Sequence, residues 1–208
     1  MKNLASKCCF AIGIVLLLAA LSLVVYNINE DKQSGKRAGK VLSVLKDEIP
    51  TAEPTTSPIV DDLFQQYEEA AAPTEPTVEV DGDPYLGYIT ISAIDIELPV
   101  MYNWTYDALK ISPCRYKGSA LTNDLIIAAH NYSSHFGKIG DLHSGDSIVF
   151  TDAGGKVYSY EVMNIERLPG TAVEEMEFGS AEDWDLTLFT CTLSGQSRVT
   201  VRAELADQ

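Results

Sequence analysis

A run of apolar residues from Cys8 to Tyr26 follows Lys2 and Lys7, and it limits what the first part of the chain can become. At about 1.5 Å per residue, some 19 residues in a helix reach across the hydrocarbon of a bilayer. A cleaved signal peptide is the rival, since its apolar region also follows a short basic segment. The run exceeds the usual apolar region of about 7–15 residues, and only Val25-Tyr26-Asn27-Ile28-Asn29 follows it, without a small-x-small site. An uncleaved transmembrane signal-anchor over residues 8–26 is therefore expected. Cys8 and Cys9 fall inside it as apolar filler.

Charge divides the chain at about residue 46. The formal net charge is −15, yet residues 1–46 carry seven Lys/Arg against Glu30 and Asp31, so nearly all the acidity lies beyond. Such a surface repels phosphate backbones, and no nucleic-acid partner is expected. Lysines on both sides of the span leave its orientation undecided by charge. From Asp47 to Asp83 the sequence turns to Pro, Thr, Glu and Ala, too polar to bury much surface, and residues 27–83 read as a stalk. Two stretches in it suit short helices, Gly39–Glu48 and Asp61–Ala71, the latter with Leu63, Phe64 and Tyr67 as an apolar patch.

Residues 84–208 alternate between short β-branched runs and turns. Tyr85–Ile91 and then Ile94, Ile96, Leu98 and Val100 open the set, with a short helix expected over Trp104–Ile111. Leu125–Ala129, Ser147–Thr151, Lys156–Ile165, Leu186–Cys191 and Arg198–Glu204 follow, and Asp152-Ala153-Gly154-Gly155 forms a hairpin turn. Seven or eight such strands with few helices predict a mainly β, closed barrel.

Two strands end on reactive groups. Leu186-Thr187-Leu188-Phe189-Thr190-Cys191 ends on a thiol at the expected barrel rim, and Asp124–Ala129 ends on His130. His135 and His143 fall in a Gly-rich loop. Arg198 opens the strand after the cysteine, and Arg202 shares its parity. Thiol, imidazole and guanidinium together suit a Cys/His nucleophilic site, whereas a lone cysteine or histidine would more often be core. Cys114 reads as an unpaired residue. The acidic run Glu174, Glu175, Glu177, Glu182, Asp183 and Asp185 reads as a solvated loop rather than a Ca²⁺ site.

These residues resemble the sortases, cysteine transpeptidases of Gram-positive cell surfaces. Thr187-Leu188-Phe189-Thr190-Cys191 matches the T-L-x-T-C signature, His130 stands in an Ala-His-Asn context, and Arg198 follows the cysteine at short range. Phe136–Leu142 and Gly145-Asp146 are similar to the stretch that follows the sortase histidine. The likeness covers roughly Tyr85 to Leu205, without resolving class B, C or D. It implies an eight-stranded sortase barrel, with Cys191 as nucleophile, His130 as acid and base, and Arg198 as oxyanion donor. Arg202 is the second candidate for the last role, and Thr190 is a weaker substrate-binding candidate.

The resemblance further implies an LPXTG-like sorting signal as acyl donor and an amine of a cell-wall precursor or a pilin lysine as acceptor. No metal or other cofactor is called for. It also implies a single-pass protein of the cell membrane, with residues 1–7 cytoplasmic and the catalytic domain extracellular. Some sortases carry a lid before the barrel, which would fall on Phe64 or Tyr67, or on Asp83-Pro84-Tyr85. Papain-like and NlpC-type hydrolases place Cys before His, the reverse order, and the Ser-His-Gly-Cys motif of L,D-transpeptidases is missing. The remaining alternative is a non-enzymatic, membrane-tethered β-barrel that serves as an interaction module.

Overall fold

The structure, a computed structural model, describes residues 2–50, 75–178 and 184–206. One helix, α1 (Lys2–Glu48), comes first and ends just before Pro50, which cannot continue it. Its two halves have different surfaces. Phe10, Leu17, Leu21 and Val24 meet no protein, as a lipid-facing helix requires. Ser34, Ala38, Val41 and Leu45, spaced to share one face, are buried against the barrel.

The helix expected within the stalk at Gly39–Glu48 is present but begins much earlier. Residues 27–48 continue the helix, and its last turns dock through Val41, Leu45 and Ile49 onto Tyr85, Met101 and Cys114. Lys32, Lys36, Arg37 and Lys40 disguised the docking, because they occupy the other faces and dilute the apolar pattern. Asp61–Ala71, with Phe64 and Tyr67, lies outside the described residues.

Among the described residues nine strands form one sheet: β1 (Val78–Val80), β2 (Asp83–Ile91), β3 (Ile96–Met101), β4 (Cys114–Lys117), β5 (Leu125–Ala129), β6 (Ser147–Asp152), β7 (Val157–Pro169), β8 (Leu186–Cys191) and β9 (Ser197–Leu205). Eight of them close into a barrel in the order β2-β3-β4-β5-β8-β9-β7-β6, where β6 pairs back onto β2. β1 hangs outside the ring, paired with β2 at Val78↔Tyr85, where β6 has already diverged. Asp83-Pro84-Tyr85 is thus part of β2 rather than a lid. The stretch expected to be helical over Trp104–Ile111 keeps only a 3-10 turn, Ala108–Lys110.

Closure depends on a close approach at Gly87. Its φ is +144°, and a Cβ there would stand 1.9 Å from the Thr151 carbonyl oxygen on β6. Inside, Ile89, Val100, Ile127, Phe150, Leu188 and Val201 are each at most 1 % exposed. Each such side chain contributes roughly 1.5–3 kcal/mol by leaving water. The period-two alternation that buries these residues turns their neighbours outward, and the outward set forms the site.

Candidate active site

β5 and β8 are parallel neighbours in register, with Ile127↔Leu188, Ala128↔Phe189 and Ala129↔Thr190. His130 and Cys191 each follow the last of these pairs by one residue, so they come level. β9 runs antiparallel beside β8, and its register sets Arg198 directly opposite Cys191. Ile127, Ala129, Leu188, Val199 and Val201 belong to the barrel core. By alternation His130, Cys191 and Arg198 therefore face outward from three adjacent strands about 4.8 Å apart. The thiol lies on the outer wall of the barrel rather than on its rim.

Over this row lies a cleft of about 230 Å³. Ala128 and Phe189 floor it, Trp104 and Tyr116 form one wall, and Pro169–Met176 the other. The aromatic rings touch in sequence: Trp104 and Tyr116 have centroids 5.6 Å apart, and Tyr116 and Phe189 5.3 Å. Cys191 also borders a second cleft of about 460 Å³, beside Asn131, Asp141, Arg167 and Leu193. The half-buried thiol is thus reachable from two sides.

His130 is half-buried with its ring against Tyr132, centroids 4.9 Å apart. Burial, and then the charge of Lys110, lower its pKa. Arg198 donates from Nη1 to the carbonyls of Gly195 (3.0 Å) and Ser197 (3.2 Å), which turns the side chain back over the β8–β9 loop. Its Nε and Nη2 make no hydrogen bond among the described residues.

Arg202 occupies a different environment. It is 1 % exposed, and its donors go to Glu166 Oε1, the Met176 and Glu175 carbonyls and Thr187 Oγ1. The short helix α2 (Val173–Phe178) covers it, and Arg202 holds that helix in place as a wall of the cleft. Shared parity was a correct guide to the face, but only Arg198 borders the cleft.

Thr190 differs from the expected substrate contact. It is 3 % exposed, and its hydroxyl donates to the Ala129 carbonyl at 2.8 Å. The threonine of the signature thereby ties the strand end that precedes His130 to the one that carries Cys191.

His135 stands in the loop as expected, but it is fully buried there. Ser34 Oγ donates to the Lys110 carbonyl (2.6 Å), so His135 Nε2, 3.0 Å away, donates to Ser34 Oγ. Burial, with His130 nearby, takes the His135 pKa down to about 4. Cys114 is buried at the start of β4, where burial pushes its thiol up to about 12, and the four cysteines are all unpaired. Of the acidic run, Glu177 accepts from Tyr116 and pairs with Lys117.

The family model for the sortase domain matches residues 89–206, more than half of the chain. The chain belongs to the sortase family. Among solved structures, a Clostridium perfringens sortase D5 transpeptidase superposes with a TM-score of 0.59 at 20% identity, covering 83% of this chain and 99% of that one. Sortase C1 of Streptococcus agalactiae gives 0.55 at 22% identity, covering 85% and 90%. A Clostridium perfringens sortase C, solved with a C-terminal cell wall sorting motif, gives 0.52 at 22%, covering 92% and 100%. No curated protein matches the chain. At these identities the structural likeness establishes the sortase barrel, whose eight strands and few helices agree with the architecture expected from the sequence.

Sequence reasoning missed the cleft walls. Trp104 and Tyr116 carried no signal beyond being aromatic, and the contact of α1 with the loop after His130 was legible only as the spacing of Ser34, Ala38, Val41 and Leu45.

Proposed function

We propose that this sortase is a cysteine transpeptidase in which Cys191 is the nucleophile, His130 the acid and base, and Arg198 the oxyanion donor. The observation that carries the reading is the level row of the three residues across β5, β8 and β9 beneath one cleft. The Cys191 thiolate attacks the carbonyl carbon of the Thr–Gly bond in an LPXTG-like sorting signal. The resulting oxyanion takes hydrogen bonds from the Arg198 guanidinium, a fixed fork of donors. The His130 imidazolium then gives its proton to the departing glycine nitrogen, and a thioester to Cys191 remains.

An acceptor amine next yields its proton to neutral His130 as its nitrogen attacks the thioester. The new amide forms and the thiolate leaves. The lowered pKa of His130 suits it to this second task, because its neutral form is available near neutral pH. The two clefts that meet at Cys191 leave room for a donor and an acceptor. The similar Clostridium perfringens sortase C was solved with a cell wall sorting motif, which supports a sorting-signal peptide as donor here. The acceptor is an amine of a cell-wall precursor or a pilin lysine.

Residues 8–26 would be a single-pass anchor, with residues 1–7 cytoplasmic and the barrel outside. The test is turnover of a panel of sorting-signal peptides with an amine acceptor, alongside mass spectrometry of the acyl-enzyme. Cys191→Ala should form no thioester, and His130→Ala should lose about 10²–10⁴-fold in rate. Wild-type turnover in Cys191→Ala would refute the reading. A Cys191 that stays inert to thiol reagents in the folded protein would favour the interaction module instead.

A further inference from the structure

Helix α1 grips the turn that follows His130. Ser133 donates its N–H (3.0 Å) and its hydroxyl (2.5 Å) to Asp31 Oδ2. Ser134 donates its N–H (3.1 Å) and its hydroxyl (2.5 Å) to Asp31 Oδ1. One carboxylate thus takes every donor of two consecutive residues. Burial would raise its pKa, but these hydrogen bonds outweigh that and hold it below the usual carboxylate value, so it stays ionised at neutral pH.

One turn further along the helix, Ser34 Oγ receives the proton of buried His135. Gly35 allows the close approach, for a Cβ there would stand 2.8 Å from that of Ser134. The contact continues to the candidate active site. The Tyr132 ring lies between the His135 ring (centroids 5.5 Å apart) and the His130 ring (4.9 Å). The Tyr132 carbonyl accepts from the N–H groups of His135 and Gly137, which makes residues 132–137 one stiff unit.

Four hydrogen bonds at Asp31 exceed what docking requires. The lower turns of α1 already bury Val41, Leu45 and Ile49, and Lys46 pairs with Glu97. Among the described residues the Asp31 carboxylate takes hydrogen bonds only from the turn that follows His130. Asp31 also lies five residues past Tyr26, only about 7.5 Å along a helix, so the grip and the end of the apolar segment are parts of one rigid rod.

We propose that Asp31 and Ser34 are positioning residues for His130, and that the helix carrying the membrane segment is thereby part of the catalytic apparatus rather than a tether. This rests on the reading of His130 as the proton-transfer group. Held by Asp31 and Ser34, the turn fixes the imidazole level with Cys191. Without them the imidazole wanders and proton transfer slows, while thiol and cleft stay intact.

The experiment uses the full chain in detergent micelles, with an LPXTG-type peptide and an amine acceptor, comparing Asp31→Ala, Asp31→Asn and Ser34→Ala. Lys40→Ala is the control on the same helix, since its partner Asp81 is exposed and remote from His130. Cys191→Ala defines zero, and His130→Ala sets the loss expected when the proton-transfer group is gone. Asp31→Ala should lower kcat about 10- to 100-fold, as expected for a misplaced catalytic group. KM should stay within about twofold and the alkylation rate of Cys191 should not change.

Asp31→Asn should recover part of the loss, and Lys40→Ala should behave as wild type. The NMR titration of the His130 ring should move up towards the ordinary histidine value in Asp31→Ala, because the ring loosens into solvent. Wild-type kcat per titrated active site, with an unmoved His130 titration, would overturn the proposal even if the yield of folded protein fell. If Asp31→Ala does not fold, Asp31→Asn and Ser34→Ala decide by the same two readouts. If Cys191→Ala and His130→Ala turn over normally, the catalytic reading has failed, and the His130 titration alone still decides whether Asp31 positions that ring.

Discussion

Arg198 and Arg202 stand four residues apart on one face of β9, and replacing each by methionine separates holding the fold from holding the substrate. Arg202 is buried, with hydrogen bonds of 3.0 Å to Glu166, 3.0 Å to the Met176 carbonyl, 2.9 Å to Thr187 and 2.6 Å to the Glu175 carbonyl. Methionine keeps most of the stem volume but leaves those acceptors unpaired. Breaking a buried ion pair from one side costs about 3–5 kcal/mol. The Glu166 side chain is 34% exposed and can rehydrate, which puts the expected loss near the lower end, about 3 kcal/mol. For a domain of this size that lowers Tm by about 10 °C.

Arg198 holds only two loop carbonyls at a half-exposed position, so Arg198→Met should cost under about 1 kcal/mol of stability. Under the proposed mechanism its effect should fall instead on turnover, where losing an oxyanion donor costs about 10²–10³-fold in kcat. The assay pairs thermal melts of both variants with kcat/KM on the best sorting peptide, measured well below the lower melt. Arg202→Met with a wild-type melt and crippled turnover would refute the assignment, since the substrate-facing guanidinium would then be Arg202.

Thiol chemistry should separate the two cysteines beyond the apolar segment: a maleimide at neutral pH should label Cys191 in the folded protein and reach buried Cys114 only on unfolding, as read by peptide mapping. Gly87→Ala should fail to close the barrel, because its Cβ would meet the Thr151 carbonyl at 1.9 Å, and a loss of more than about 3 kcal/mol is expected in denaturant melts. Lys110→Met removes a cation that disfavours the imidazolium, so the His130 pKa should rise; if the first step needs imidazolium, as proposed, the alkaline limb of kcat/KM should move to higher pH. An unmoved or downward-shifted limb would show that Lys110 does not act on His130.

Much of this protein was legible in local pattern. Period-two alternation in Leu186–Cys191 already states which side chains face the core, because adjacent residues of a strand must point to opposite sides, whereas Leu125–Ala129 is apolar throughout and reads only as a buried strand. Asp152-Ala153-Gly154-Gly155 announces its own turn: the Asp152 carboxylate accepts from the N–H groups of Gly154 and Lys156, and Gly155 takes φ +85°. The apolar run of α1 needs only its length and composition to be read as a helix long enough to cross a membrane.

Tertiary structure alone decided the rest, for a shared reason. That β5 and β8 are parallel neighbours, with His130 level with Cys191, depends on the register of strands some 60 residues apart, and only barrel closure sets it. Arg202 becomes a buried staple because α2 folds over it, whereas Arg198, of the same parity, stays at the cleft. Lys32 to Lys40 made the end of α1 read as stalk, until Ser34, Ala38, Val41 and Leu45 found a surface. Sequence determines which face of an element is apolar, since that is set by covalent geometry within a few residues. Which partner meets that face, and which polar group is trapped beneath it, depends on distant segments packing together.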